Sequence, residues 1–160
     1  MEIRVGQGYD IHQLIDSNKG LTIGVCNIPF DKTLNAHSDG DVLIHSIIDS
    51  LLGAANLGDI GTHFPDNDPN YKGIDSSILL KGVLFLLKQK SYKIINIDTT
   101  IVCERPKLKD YIPSIKKRLA ELLNIEIDQI SIKAKTKEKL DSVGEERAIE
   151  VFSICLIQKI

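Results

Sequence analysis

Ala148-Ile149-Glu150-Val151-Phe152-Ser153-Ile154-Cys155-Leu156-Ile157 is apolar on both faces of an extended chain, Glu150 and Ser153 excepted. A strand with no wet side belongs at the centre of a sheet or against another subunit. Upstream of it, Ile130–Ala134 reads as a further strand. Before that comes an amphipathic helix carrying Ile112, Ile115, Leu119, Leu122 and Leu123, with Pro113 tolerable only in its first turn. Ile94–Val102 alternates as a strand, with Ile95, Ile97, Thr99 and Ile101 on one side. Ser76 or Ser77 caps a helix that runs to about Lys90 and buries Leu79, Val83, Leu86 and Leu87. Another helix starts near Ser38 or Asp39, where Ser38-x-x-Asp41 has the form of a capping box. Its apolar stripe is Ile44, Ile47, Ile48, Leu51, Leu52 and Ala55. Towards the N-terminus, Ile3–Tyr9 and Leu21–Val25 read as short strands around a polar loop, Gln13–Gly20, with Ile28-Pro29-Phe30 continuing the second.

Strands and helices thus interleave without strict βαβ repetition. This predicts an α+β two-layer sandwich, a mixed β-sheet with helices packed on one face. The other sheet face is left bare, and an oligomer would bury it. No linker, repeat or composition shift divides the chain, so residues 1–160 are expected to form a single domain.

Composition narrows the function classes. With 42% hydrophobic and 26% charged residues the balance is that of a globular protein. A formal net charge of −2 offers no field for duplex nucleic acid, and 5% aromatics without Trp offers no stacking platform for single strands. Cys26, Cys103 and Cys155 are odd in number and lack a Cys-x-x-Cys spacing, which argues against a disulfide framework or a thiolate zinc site. The longest apolar run, Val83–Leu87, is too short to cross a bilayer, and the chain opens into a strand rather than a leader. The expectation is a reduced, cytoplasmic protein.

Chemistry concentrates in a few polar segments. Asp10 and His12 are two apart and project to one face of an extended chain. Asp41, His45 and Asp49 follow at four-residue steps, a polar stripe opposite the apolar face of their helix. Asp10, His12 and His45 together would supply two imidazoles and a carboxylate, a ligand set for a catalytic zinc with one position open. An Asp-x-His pair alone is more often a surface turn, and three histidines beside Asp/Gly-rich loops shift that balance. His63 reads as a solvated loop residue. Gly58–Asp75 forms a long loop in which Asp59-Ile60-Gly61 and Phe64-Pro65-Asp66-Asn67-Asp68-Pro69 offer oxygens to a cation or a polar ligand, although such clusters are mostly plain turns. Lys133–Lys139 supplies lysines, Thr136 and Glu138 for phosphates and a counter-ion; a solvated charged turn is the equal alternative.

In order and spacing these segments resemble the 2-C-methyl-D-erythritol 2,4-cyclodiphosphate synthase family over nearly the whole chain. The matching pieces are Gly8-Tyr9-Asp10-Ile11-His12, Ala36-His37-Ser38-Asp39-Gly40-Asp41 with His45, Leu57-Gly58-Asp59-Ile60-Gly61, Phe64-Pro65-Asp66-x-Asp68-Pro69, Tyr71-Lys72-Gly73-x-Asp75-Ser76, Pro106-Lys107 and Glu138-Lys139-Leu140. The resemblance implies that 4-diphosphocytidyl-2-C-methyl-D-erythritol 2-phosphate is cyclised, its own phosphate displacing CMP. It implies zinc, or another divalent metal, on Asp10, His12 and His45, and Mg²⁺ or Mn²⁺ on Glu138 bridging the diphosphate. It gives His37 and Thr136 catalytic roles and places Ser38 on a phosphate. Asp59, Ile60, Gly61, Phe64, Pro65, Asp66 and Asp68 would line the erythritol pocket, Pro106 and Lys107 the cytidine loop, and Thr136 and Glu138 would also touch substrate. It further implies a homotrimer with sites between subunits, no nucleic-acid or membrane partner, and a bacterial cytoplasm or, for a processed form, a plastid-type organelle.

The family commonly reads Lys-Ala-Thr-Thr-Thr-Glu-Lys-Leu-Gly where this chain has Lys133–Asp141, with Lys135, Lys137 and Asp141 departing. Ser142 stands in place of a common Phe, Glu145 in place of Arg, and Gln7 in place of His. Two rival readings use the same residues: a zinc-dependent nucleotide phosphodiesterase, in which water attacks phosphorus, and a non-catalytic metal- or nucleotide-binding oligomer.

Overall fold

The computed structural model describes residues 2–160. Its main sheet has five strands: β1 (Ile3–Asp16), β4 (Lys32–Asn35), β5 (Tyr92–Val102), β6 (Ile130–Lys135) and β7 (Ala148–Lys159), in the order β4-β1-β7-β5-β6. Only β5 and β6 are parallel, so the sheet is mixed. A two-stranded hairpin, β2 (Leu21–Ile23) with β3 (Cys26–Ile28), stands apart from it. The helices are α1 (Val42–Ala54), α2 (Ile60–His63), α3 (Ser76–Gln89), α4 (Ile112–Leu123) and α5 (Asp141–Gly144). The three long helices, α1, α3 and α4, pack on the sheet face that carries Ile149, Val151, Cys155 and Ile157.

The doubly apolar β7 is the central strand, paired with β1 on one side and β5 on the other. Its alternate residues Phe152 and Ile154 point to the opposite face, where Val5, Tyr9 and Ile11 of β1 are also exposed. Glu150 is buried on that side, held by Lys137 Nζ and by the Tyr9 hydroxyl at 3.1 Å. Apolar side chains on an uncovered sheet face are the expected signature of a contact surface.

Several boundaries differ from the sequence reading. The first strand does not stop at Tyr9, because its ladder with β7 runs on to Gln13 and that with β4 to Asp16. Gly6, Gly8 and the polar residues after Tyr9 concealed a 14-residue strand. Gly24 and Val25, both at positive φ, form the turn of the β2–β3 hairpin, so Ile28 belongs to a returning strand rather than to a continuation. β4 was not anticipated. A β-bulge between Ile94 and Asn96 shifts the alternation of β5, so that Ile94, Ile97, Thr99 and Ile101 are buried and Ile95 is not.

Helix α1 begins at Val42, later than the capping box suggested. Asp41 is the N-cap: its carboxylate accepts from the amides of Ile44 (3.2 Å), Gly24 (2.9 Å) and Val25 (2.7 Å). It is fully buried, and burial pushes its carboxyl up to about 6 while the three amides pull it back. The polar stripe is therefore not a solvated face. Asp41 and His45 are buried in a helix that is covered nearly all round.

Candidate metal centre and active site

Helix α1 lies directly on β1 because two residues of that strand lack side chains. A Cβ on Gly6 would stand 1.9 Å from the Ser50 carbonyl oxygen, and one on Gly8 1.9 Å from that of Ser46. The next residues on the same face of β1 are Asp10 and His12. They continue past the glycines towards the start of α1, where His45 sits one turn into the helix. Strand period and helix period bring the three side chains to one point.

Asp10 Oδ2 lies 3.0 Å from His12 Nε2 and 3.1 Å from His45 Nδ1, and the two histidine nitrogens are 3.0 Å apart. One ligand atom from each residue fits within 4.8 Å of the others, and among the described residues this is the group able to hold a metal ion. A tetrahedral ion with bonds of about 2.0–2.1 Å spaces its donors roughly 3.3 Å apart, so the three atoms are already near the edge lengths a divalent cation requires. Burial would raise the Asp10 carboxyl, but hydrogen bonds and charge from His12 and His45 overcome it and hold it at about 2. His45, which burial would lower, is raised on balance by Asp10 and by the more distant Asp41 and Asp39. The centre is a negative oxygen held against two imidazoles, ready for a cation.

The triad opens into a cavity of about 470 Å³ lined also by His37, Ser38, Ile60, Gly61, Phe64, Pro65 and Asp66. Ser38 Oγ lies 3.1 Å from His45 Nε2, and His37 Nε2 lies 3.1 Å from the Asp68 carbonyl oxygen. Asp68 itself stays off the cavity wall; its carboxylate accepts from the Asn70 amide and caps a short turn, Pro69–Tyr71. Asp59 is also turned aside, capping α2 through the Thr62 amide (2.8 Å) and hydroxyl (2.7 Å). His63, expected to be solvated, is half-buried with Nε2 2.7 Å from the Leu57 carbonyl oxygen.

Pro106, Lys107, Thr136 and Glu138 are not brought to this cavity. They follow the ends of β5 and β6, where Cys103 N donates to the Lys135 carbonyl and the Lys137 amide donates to Glu104. Thr136 Oγ1 donates to Glu138 Oε1 at 3.1 Å, and both residues are exposed. Glu138 and Lys139 hold positive φ values of 54° and 60°, an uncommon conformation for residues with side chains. The Arg105–Pro106 peptide is cis. β1 and β6 are separated by β7 and β5, about 14 Å at roughly 4.8 Å per strand. Nearby Cys103 supplies no thiolate, since burial pushes its thiol up to about 12.

Sequence reasoning gave no site role to several wall residues, among them Tyr71, Ile74 and Leu79. Asp49, read only as part of a stripe, also faces the cavity and accepts from the Ile60 amide at 2.7 Å; burial raises its carboxyl. The four-residue step from His45 was the available signal.

A sequence model of the YgbB family matches residues 3–158. The 2-C-methyl-D-erythritol 2,4-cyclodiphosphate synthase of Clostridium perfringens is 52% identical over 157 residues, covering 98% of this chain and all of the relative. That of Bacteroides fragilis is 51% identical over 160 residues, covering both chains in full. Among solved structures, IspF of Plasmodium falciparum in complex with CDP superposes with a TM-score of 0.86 at 42% identity, over 98% of this chain and 96% of the other. The bifunctional IspDF of Campylobacter jejuni gives a TM-score of 0.95 at 37% identity; 99% of this chain matches, but only 43% of that longer one.

Proposed function

The chain belongs to the YgbB family and carries the cyclodiphosphate synthase activity of its relatives in isoprenoid biosynthesis, and from that premise we propose how its residues carry the reaction. The substrate is 4-diphosphocytidyl-2-C-methyl-D-erythritol 2-phosphate. An oxygen of its 2-phosphate forms a bond to the β-phosphorus of its own diphosphate. The bond from that phosphorus to the bridging oxygen breaks, and CMP leaves with the electron pair. Nucleophile and electrophile share one molecule, so the protein needs no covalent nucleophile. What it supplies is positioning of a flexible polyanion and neutralisation of clustered charge.

The observation that carries this reading is the convergence of Asp10, His12 and His45 at the mouth of the cavity. Two imidazoles and one carboxylate with an open position suit Zn²⁺. When bound, that ion would supply Lewis-acid polarisation of a phosphoryl oxygen. His37 and Ser38, on the adjoining wall, are placed to donate hydrogen bonds to phosphate oxygens. Ile60, Gly61, Phe64, Pro65 and Asp66 form the wall that would hold the erythritol hydroxyls and methyl group; Asp59 and Asp68 support that wall by capping its turns.

The second cluster completes the site from a neighbouring subunit. Glu138 would hold a Mg²⁺ or Mn²⁺ ion on the diphosphate, Thr136 would contact the reacting phosphate, and Pro106 and Lys107 would hold the cytidine. Separation of β6 from β1 within one chain supports this arrangement, as does the apolar open face of β1 and β7, which a homotrimer would bury. The test is mass spectrometry of the products from the diphosphocytidyl substrate. A cyclic diphosphate with equimolar CMP is expected; a linear phosphate carrying the mass of an added water would replace this reading with hydrolysis.

A further inference from the structure

We propose that Ser76 and Asp39 form a relay that fixes the tautomer and orientation of His45, so that the first residue of α3 is a positioning residue for the metal centre. The inference rests on the reading of Asp10, His12 and His45 as metal ligands. It concerns the side of His45 that faces away from them.

His45 Nε2 lies 2.9 Å from Ser76 Oγ, and Ser76 Oγ lies 2.5 Å from Asp39 Oδ1. The same Asp39 carboxylate accepts from the Ser76 amide at 3.0 Å through Oδ2, and from the Asp41 amide at 3.0 Å through Oδ1. Ser76 is fully buried, so no solvent competes for its hydroxyl. A serine has one hydrogen to donate, and a carboxylate only accepts. The short contact therefore assigns the Ser76 hydrogen to Asp39. Its oxygen is left as an acceptor, and Nε2 must carry the imidazole hydrogen.

That assignment has a consequence on the other edge of the ring. Nδ1, the atom 3.1 Å from Asp10 and 3.0 Å from His12, shares a proton with the Asp10 carboxylate. A cation that displaces this proton would find the lone pair on Nδ1 while the hydrogen on Nε2 stays fixed. A histidine ligand is normally oriented by a partner on its distal nitrogen, and that partner sets which nitrogen faces the metal. Here the partner is a serine backed by a carboxylate. Ser38 Oγ, 3.1 Å from the same Nε2, is a second acceptor, but it also receives the Gly40 amide and belongs to the cavity wall.

The relay also explains how two loops are held in register. The Asp39 amide donates to the Ile74 carbonyl at 3.0 Å, and the Gly73 amide to the His37 carbonyl at 2.7 Å. Residues 37–39 are thus stitched to residues 73–76, and the start of α3 is tied to the ring of a residue in α1. Loss of the serine hydroxyl frees the ring to adopt either tautomer.

The test uses the full chain. In Zn²⁺-loaded wild-type protein, ¹⁵N-histidine spectra should show His45 with its hydrogen on Nε2 and with Nδ1 as the nitrogen that faces the metal. Chelator competition should show Ser76→Ala binding Zn²⁺ about tenfold to a hundredfold more weakly, with unchanged far-ultraviolet circular dichroism. Ser76→Thr, which keeps the hydroxyl, should recover most of the affinity, and Asp39→Asn should weaken binding in the same direction. A Zn²⁺-loaded wild-type His45 whose hydrogen sits on Nδ1 would overturn the relay, and so would Ser76→Ala with affinity within twofold of wild type. If Ser76→Ala does not fold, the wild-type tautomer and Asp39→Asn still decide. Wild-type protein with no Zn²⁺ affinity would remove the metal reading itself, an outcome distinct from wild-type binding that Ser76→Ala leaves unchanged.

Discussion

His45 is where strand, helix and loop make separate demands on one ring. It must be buried enough to exclude water, close enough to β1 to meet Asp10 and His12, and satisfied on its far nitrogen. His45→Ala removes one of three ligands from a position whose backbone is ordinary helix, in which alanine is the best-tolerated residue. The expected outcome is loss of bound divalent metal from about one ion per chain, the number a single three-ligand site implies. Turnover should fall by at least about a hundredfold, because electrophilic stabilisation by a metal is worth several kcal/mol. Circular dichroism should be retained. A variant that keeps its metal and its rate would show that His45 is not a ligand. The triad was legible in sequence because Asp-x-His has the strand period and the apolar stripe of α1 locates His45. Asp39 and Ser76 were not. Their contact is set by which loop folds against which, and no spacing within either segment reports it.

The pairing of α1 with β1 is the element that aims the centre, and its requirement is absence of side chains. A methyl group on Gly8 would have to displace helix backbone rather than a flexible side chain. Overpacking of that kind costs about 1–3 kcal/mol where neighbours can shift, and more where they cannot. Gly8→Ala should therefore destabilise the protein by about 3 kcal/mol or more in urea unfolding. Any folded fraction should bind metal poorly, because helix and strand have separated. Wild-type stability in this variant would contradict the close approach. The same glycines explain a misreading. Gly6 and Gly8, weak strand formers on propensity, made β1 look short, although its ladder with β7 continues for eleven residue pairs. The doubly apolar pattern of β7 left a central strand and a subunit contact as alternatives, and the ladders with β1 and β5 show the first.

For the molecule as a whole, the site proposed above unites two clusters that lie three strand spacings apart in one sheet. Asp10, His12 and His45 line the cavity beside α1; Thr136 and Glu138 are exposed beyond the end of β6. A homotrimer that buries Val5, Tyr9, Ile11, Phe152 and Ile154 would bring the second cluster of one subunit to the first of the next. His12→Ala and the double variant Thr136→Ala, Glu138→Gln should each be inactive alone. Mixed after subunit exchange, they should recover part of the wild-type rate, since some boundaries then unite two intact halves. Sedimentation of each variant and of the mixture checks that both assemble and exchange. Exchange without recovered activity would confine the site to one chain. This level of organisation was the least legible in sequence. An uncovered apolar face says that something binds there, whereas the family pattern alone suggested which copy and in what number.

Attack on phosphorus by the substrate's own phosphate and attack by water differ in where solvent oxygen ends up. Turnover in ¹⁸O-water, with both products analysed by mass spectrometry, separates the two. Intramolecular attack leaves no ¹⁸O in CMP and none in the cyclic diphosphate. One ¹⁸O atom on phosphorus in either product would contradict it and assign the chemistry to a hydrolase that uses the same three ligands.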